Sequence, residues 1–139
     1  MPSVLWITHR DLSVDLTKTS RWGIARELEK RGYSISWMSP TESLGYFVHR
    51  STRLGFGHST FIRSIRKVMP TITSPDFAIV EWTAVEGAYL ELNRRSIPWI
   101  IMDRSPPTSR GIAAMVQQRQ YQKAWNIARK FSIGAAVKS

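Results

Sequence analysis

The chain of 139 residues has no cysteine, which excludes disulfides, thiolate metal sites and a cysteine nucleophile and accords with a reducing compartment. No apolar run approaches the roughly 20 residues that cross a bilayer, and Met1-Pro2-Ser3 has neither the basic start nor the apolar core of a secretory signal. A cytoplasmic protein is expected. Glycine is missing from the whole stretch between His9 and Ser20, so the first loop is neither a P-loop nor a dinucleotide fingerprint, both of which need glycine for close backbone approach. Acids are scarce as well: 10 Asp and Glu stand against 20 Lys and Arg, a formal charge of +10. None lies between Glu42 and Asp76 or after Asp103. Such one-sign segments attract phosphates, nucleic acid or anionic lipid headgroups, although a solvated basic face that only keeps a protein soluble has the same composition.

What is present reads as one folded α/β domain. With 42% hydrophobic residues the length suffices for a real core, and there is no internal repeat, low-complexity tract or linker. Ser3-Val4-Leu5-Trp6-Ile7 reads as a buried strand, Thr8 to Thr19 as a long polar loop, Ser20 to Arg31 as a helix closed by Gly32, and Tyr33 to Met38 as a second strand. A strand at about Gly45 to Arg50 follows, then a helix carrying Phe61, Ile62, Ile65, Val68 and Met69 on one stripe and ended by Pro70. Phe77 to Trp82 is a strand that enters a helix with Val85, Ala88, Tyr89 and Leu92 on one side. Ile97 to Met102 is a strand, Ile112 to Phe131 a long helix, and a last strand starts near Ile133. Alternating elements with right-handed crossovers predict a doubly wound, mostly parallel Rossmann-like sheet of about six strands with helices on both faces. The polar loops after strands one, four and five then meet on one edge, where such folds gather ligands.

Candidate site residues come from those loops. His9 is a proton carrier, and Arg10, Asp11, Lys18 and Thr19 lie between it and a helix N-terminus able to hold an oxyanion. Asp11 and Asp15 would otherwise pair with Arg10 and Lys18 to order the loop. Asp103-Arg104-Ser105-Pro106-Pro107 is a stiffened turn at a strand end, with Arg104 and Arg110 able to fork a phosphate or carboxylate; Asp103 capping the turn is the alternative. Glu81 suits a base, an acceptor for sugar hydroxyls, or a partner for a nearby arginine. His9 and Asp103 are the candidate catalytic groups. The six tryptophans read mainly as core, four of them in strands, with Trp82 the candidate ligand wall. His49 and His58 lack ligand spacing to any neighbour, so no metal is assigned. Opposite the Phe61 to Met69 stripe, Arg63, Arg66 and Lys67 suit an anionic membrane surface or a wet basic back. Gln117 to Lys123 reads as an exposed face of the last helix.

The pattern Val4-Leu5-Trp6-Ile7-Thr8, a polar loop, then Ile24-Ala25-Arg26-Glu27-Leu28-Glu29-Lys30-Arg31-Gly32-Tyr33-Ser34-Ile35 resembles the opening of GT-B glycosyltransferases. Ala124-Trp125-Asn126-Ile127-Ala128 and Gly134-Ala135-Ala136-Val137-Lys138-Ser139 resemble the helix and strand that close the first domain in the retaining family-4 type. Two departures stand out: the glycine pair common after the first strand is absent, and Asp103 stands where a histidine is often found. The resemblance implies an acceptor-binding N-terminal domain whose partner, a C-terminal donor domain carrying the nucleotide sugar, lies outside this sequence. It further implies lipid-linked, saccharide or other hydroxyl acceptors, no cofactor in this half, and peripheral attachment to the inner face of an anionic membrane. Little activity is expected of this half alone, and homodimerisation through the interdomain face is a further expectation. The rival is a non-enzymatic basic module for nucleic acid or a phosphorylated ligand; the dispersal of the basic segments and the lack of a nucleic-acid motif count against nucleic acid.

Overall fold

The computed structural model describes residues 2–15, 20–51, 57–103, 107 and 111–137. Its elements run β1 (Ser3–Ile7), α1 (Leu12–Asp15), α2 (Ser20–Lys30), β2 (Ser34–Ser39), β3 (Tyr46–Phe47), α3 (Gly57–Val68), β4 (Phe77–Glu81), α4 (Val85–Arg94), β5 (Trp99–Asp103), α5 (Ile112–Phe131) and β6 (Gly134–Val137). One-turn 3-10 helices cover Met69–Thr71 and Trp82–Ala84. The strands form one sheet of six in the order β3-β2-β1-β4-β5-β6, and every pairing is parallel. The doubly wound Rossmann-like sheet expected from the alternation is therefore the fold. Chain order reverses between β1 and β4, which are neighbours, so the crevice of this topology opens beyond Ile7 and Glu81.

The central strands are apolar in unbroken runs because both their faces are covered, as parallel sheets require. On one face Leu5, Ile7, Val80, Trp99 and Ile101 pack against Phe61 and Ile65 of α3 and against α4 and α5. On the other, Val4, Trp6, Trp37, Ile79 and Met102 form a smaller core with Leu12 and Ala25. Trp6 and Trp37 are register partners and stack with ring centroids 5.1 Å apart. The apolar stripe of α3 is spent on the core, with Phe61, Ile62 and Ile65 buried and Arg63, Arg66 and Lys67 exposed.

Several boundaries differ from the sequence expectation, each for a local reason. The third strand is only Tyr46–Phe47, not Gly45 to Arg50. Val48 N–H still donates to Ser39 O, but His49 N–H and Ser51 N–H donate to Ser64 and Thr60 of α3, which draw the chain off the sheet. Gly45 precedes it with φ +65°, and a Cβ there would sit 2.3 Å from Trp37 O. Inside the expected first loop lies α1, started by Asp11 Oδ1 accepting from Ser13 N–H and anchored by buried Leu12. Strand β5 begins at Trp99 rather than Ile97, because Ile97 N–H closes α4 by donating to Leu92 O and Pro98 has no N–H. Trp82 starts a 3-10 turn rather than ending a strand, leaving Trp6, Trp37 and Trp99 as the strand tryptophans.

Candidate functional site

Parallel pairing carries the ends of β1, β4 and β5 to a single rim. At the β1/β4 crevice the central group is Glu81, buried at 3% exposure. Arg21, in the first turn of α2, meets it in a bidentate pair, Nε to Oε2 at 2.5 Å and Nη2 to Oε1 at 2.7 Å. Trp6 Nε1–H donates to Oε2 at 3.1 Å. Two charges out of water are tolerated here because each is the other's partner and the Trp6 indole adds a further hydrogen bond. Of the readings open for Glu81, the arginine partner is the one realised.

His9 leans on the same carboxylate, Nδ1 lying 3.6 Å from Glu81 Oε1 and 2.9 Å from Thr83 Oγ1. Burial pushes its pKa from 6.5 to about 4; Glu81 opposes this, and the cations of Arg50, Arg21 and Arg10 add to it. The imidazole is thus neutral near pH 7, a hydrogen-bonding group for a hydroxyl more than a charged anchor. Arg10 is exposed, its N–H donating to Thr8 Oγ1, and its charge, after burial, helps hold the Arg50 guanidinium below its usual range. Asp11 does not pair with Arg10. Its Oδ1 accepts from Ser13 Oγ–H, Ser13 N–H and Thr41 Oγ1–H, which hold the carboxyl below its usual range. Nearby, a pocket of about 470 Å³ lined by Asp11, Glu42, His49 and Arg50 opens.

Asp103, at the end of β5, points to the opposite face of the sheet. Its Oδ2 accepts hydrogen bonds from Tyr121 Oη–H and, at 3.1 Å, from Trp125 Nε1–H, both on α5. Burial and then this bond to Asp103 push the Tyr121 phenol up. The other oxygen, Oδ1, is buried without a hydrogen-bond partner. Trp82 is buried, with the His58 and Tyr121 rings as neighbours, the latter edge-on with centroids 5.2 Å apart. The exposed face expected over Gln117 to Lys123 is interrupted there, since Tyr121 turns inward to Asp103.

The rim thus seats His9 on Glu81, with Arg10 and Asp11 at its margin, and carries Asp103 one strand further on, facing the opposite side of the sheet. Arg63, Arg66 and Lys67 lie away from it on α3. Lys18, Thr19, Arg104, Ser105 and Arg110 lie outside the described residues, as does the side chain of Asp15. Sequence reasoning missed Arg21, Tyr121 and Trp125. A signal existed for each: Arg21 shares a helix face with Ala25 and Leu28, and Tyr121, Trp125 and Ala128 recur at helical spacing on the side that covers the sheet.

No family model matches the sequence, and no curated protein matches it. Solved structures do resemble the fold. A protein assigned as a UDP-N-acetylglucosamine 2-epimerase from Listeria monocytogenes superposes with a TM-score of 0.58 at 14% identity, over 91% of this chain and 36% of its own. The UDP-GlcNAc 2-epimerase of Methanocaldococcus jannaschii gives 0.57 at 15% identity, over 100% of this chain and 40% of its own. The glycotransferase of kitacinnamycin gives 0.44 at 18% identity, over 92% and 37%. The chain thus spans between 36% and 40% of the solved structures it resembles. What the likeness establishes is the fold, a Rossmann-like α/β domain.

Proposed function

We propose that this domain is the acceptor-side lobe of a GT-B glycosyltransferase of the retaining family-4 type. A companion lobe would bind the nucleotide sugar, and the crevice beyond β1 and β4 would hold the hydroxyl acceptor. The observation that carries the reading is the buried Arg21–Glu81 pair with His9 seated on it, at the reversal point of a sheet similar to sugar-nucleotide enzymes. Such a pair does not bind substrate itself. It holds the neutral His9 ring at the crevice, so that an incoming hydroxyl meets a hydrogen-bonding group whose orientation is already set, and orientation of this kind is worth several kcal/mol of barrier. Asp103 would line the same rim one strand further on. Attachment to an anionic membrane through the basic surface, and pairing of two copies across the interdomain face, belong to the same reading.

The epimerase likeness supports a second reading, in which the lobe serves chemistry on the nucleotide sugar itself. Amide NMR spectra of the chain, titrated separately with methyl glucoside and with UDP, separate the two. The acceptor-side reading expects the glycoside to move the signals of His9, Thr83 and Glu81 while UDP leaves them in place. Rim signals that move with UDP and not with the glycoside overturn it. A sizeable rate of sugar transfer from UDP-glucose by this chain alone would also overturn it, because half of a cleft cannot complete the reaction.

A further inference from the structure

On the face of the sheet that Asp103 looks toward, a groove of about 510 Å³ runs between α3 and α5, with His58 of its lining beside Trp82. Helices α3 and α5 each pack on α4, and the first turn of α4 forms the floor between them. The recess depends on Gly87: a Cβ at that position would lie 2.9 Å from Ile65 Cβ and 3.0 Å from Ile62 O, so only glycine lets α3 sit this close to α4. Glu86, on the floor, is the single carboxylate of the lining, against the fixed charges of Arg63, Arg66, Arg119 and Lys123. That imbalance follows from the sequence, since both helices that make the walls fall within its acid-free segments. Glu86 is already engaged, 3.4 Å from Lys123 Nζ and 3.9 Å from His58 Nε2, with Arg66 Nη2–H donating to its backbone oxygen at 3.4 Å. Among the described residues, no carboxylate lies within ion-pair reach of Arg63, Arg66 or Arg119.

We infer that this groove is a binding site for the phosphate or diphosphate group of a soluble small molecule, distinct from the β1/β4 crevice. Three guanidinium groups facing one concavity from two helices match the planar, multidentate geometry of phosphate oxygens, and a recess with one sign of charge focuses the field on its contents. A bilayer, which the acceptor-side reading places on the exposed basic surface outside the groove, is the poorer occupant of the recess itself. Helix α3 has no apolar face left to insert, since Phe61, Ile62 and Ile65 are in the core, and although α5 exposes Ile112, Met115 and Val116 in its first turns, the cations themselves line a recess instead of a plane.

The test is calorimetric titration of the whole chain with inorganic pyrophosphate at constant, low ionic strength. Its variants are Arg63→Gln with Arg119→Gln, which takes one guanidinium from each wall, and Lys67→Gln, which removes a single charge from α3 outside the groove. All three side chains are exposed, so the variants fold, and far-UV circular dichroism confirms it. The double variant is expected to weaken pyrophosphate binding by about tenfold or more, and Lys67→Gln by less than about twofold. A loss of binding free energy in Lys67→Gln of half that in the double variant or more would reveal diffuse attraction to net charge and overturn the site, as would no binding by the unaltered chain. Binding to phosphatidylglycerol vesicles without binding of pyrophosphate overturns it too, in favour of a membrane surface. None of these outcomes bears on the crevice, so failure here leaves the proposed acceptor role standing.

Discussion

Glu81 and Asp103 end neighbouring strands of one sheet and are buried to a similar degree, yet they face opposite sides and are held in different ways. Glu81 meets a guanidinium in a bidentate pair, backed by an indole N–H. Asp103 meets only neutral donors, a phenol and an indole, and keeps one oxygen unpartnered. The difference traces to what covers each face. Over Glu81 lies the start of α2, where Arg21 can snorkel in from a helix end, whereas over Asp103 lies the middle of α5, which offers aromatic side chains. Similar residues at matching strand ends thus acquire different chemistry, one a fixed ion pair that supports His9, the other an acceptor with capacity to spare.

Removing charge at the two positions is the sharpest way to break the comparison. Glu81→Gln leaves the Arg21 guanidinium buried opposite a neutral amide and is expected to cost about 3–5 kcal/mol of stability, read from the urea midpoint. Replacing Glu81 by Leu together with Arg21 by Met should recover most of that loss, since a buried pair is often no better than apolar side chains of like volume. A loss below about 1 kcal/mol for Glu81→Gln would mean that Arg21 reaches water.

His9 extends the test into pH. Its pKa falls from 6.5 unfolded to about 4 folded, so between these values the unfolded chain binds more protons and stability drops as pH is lowered. The contribution is fully present above about 6.5 and lost by about 4, amounting to about 3 kcal/mol. His9→Gln should flatten that part of the stability profile. An unchanged slope would show that the imidazole is solvated. The smallest effect belongs to Asp103→Asn, which keeps an acceptor for Tyr121 and Trp125 and should change stability by less than about 1 kcal/mol. A loss as large as that at Glu81 would erase the contrast.

Much of the architecture was readable from residue patterns. The run Val4 to Ile7 and the run Phe77 to Val80 are apolar at every step, the mark of strands covered on both faces. The stripe from Phe61 to Met69 marks a helix against a sheet, and its basic back follows from the same spacing. The third strand is shorter than its residue pattern predicts because Ser64 and Thr60 claim the backbone beyond Val48, a competition between side chain and ladder that periodicity does not encode. At the site, the loop ends that carry His9, Glu81 and Asp103 were legible, because topology alone puts them on the rim. Their partners were not. A cation near a helix start, such as Arg21, reads as solvent-exposed, and the glutamines and charges around Tyr121 give it the same reading.

By itself the sequence determined the alternation of strands and helices, the parallel winding that follows from it, the basic surface and the edge on which polar loops collect. Each of these rests on local periodicity or on a general rule of chain handedness. Only the tertiary structure decided that Arg21 would neutralise Glu81 from 60 positions away, that Tyr121 and Trp125 would take up Asp103, and that α3 and α5 would face each other across Glu86. Burial sets which charges must find partners, and partners so far apart along the chain are chosen by how the crossovers stack, a property of the packed sheet and helices together.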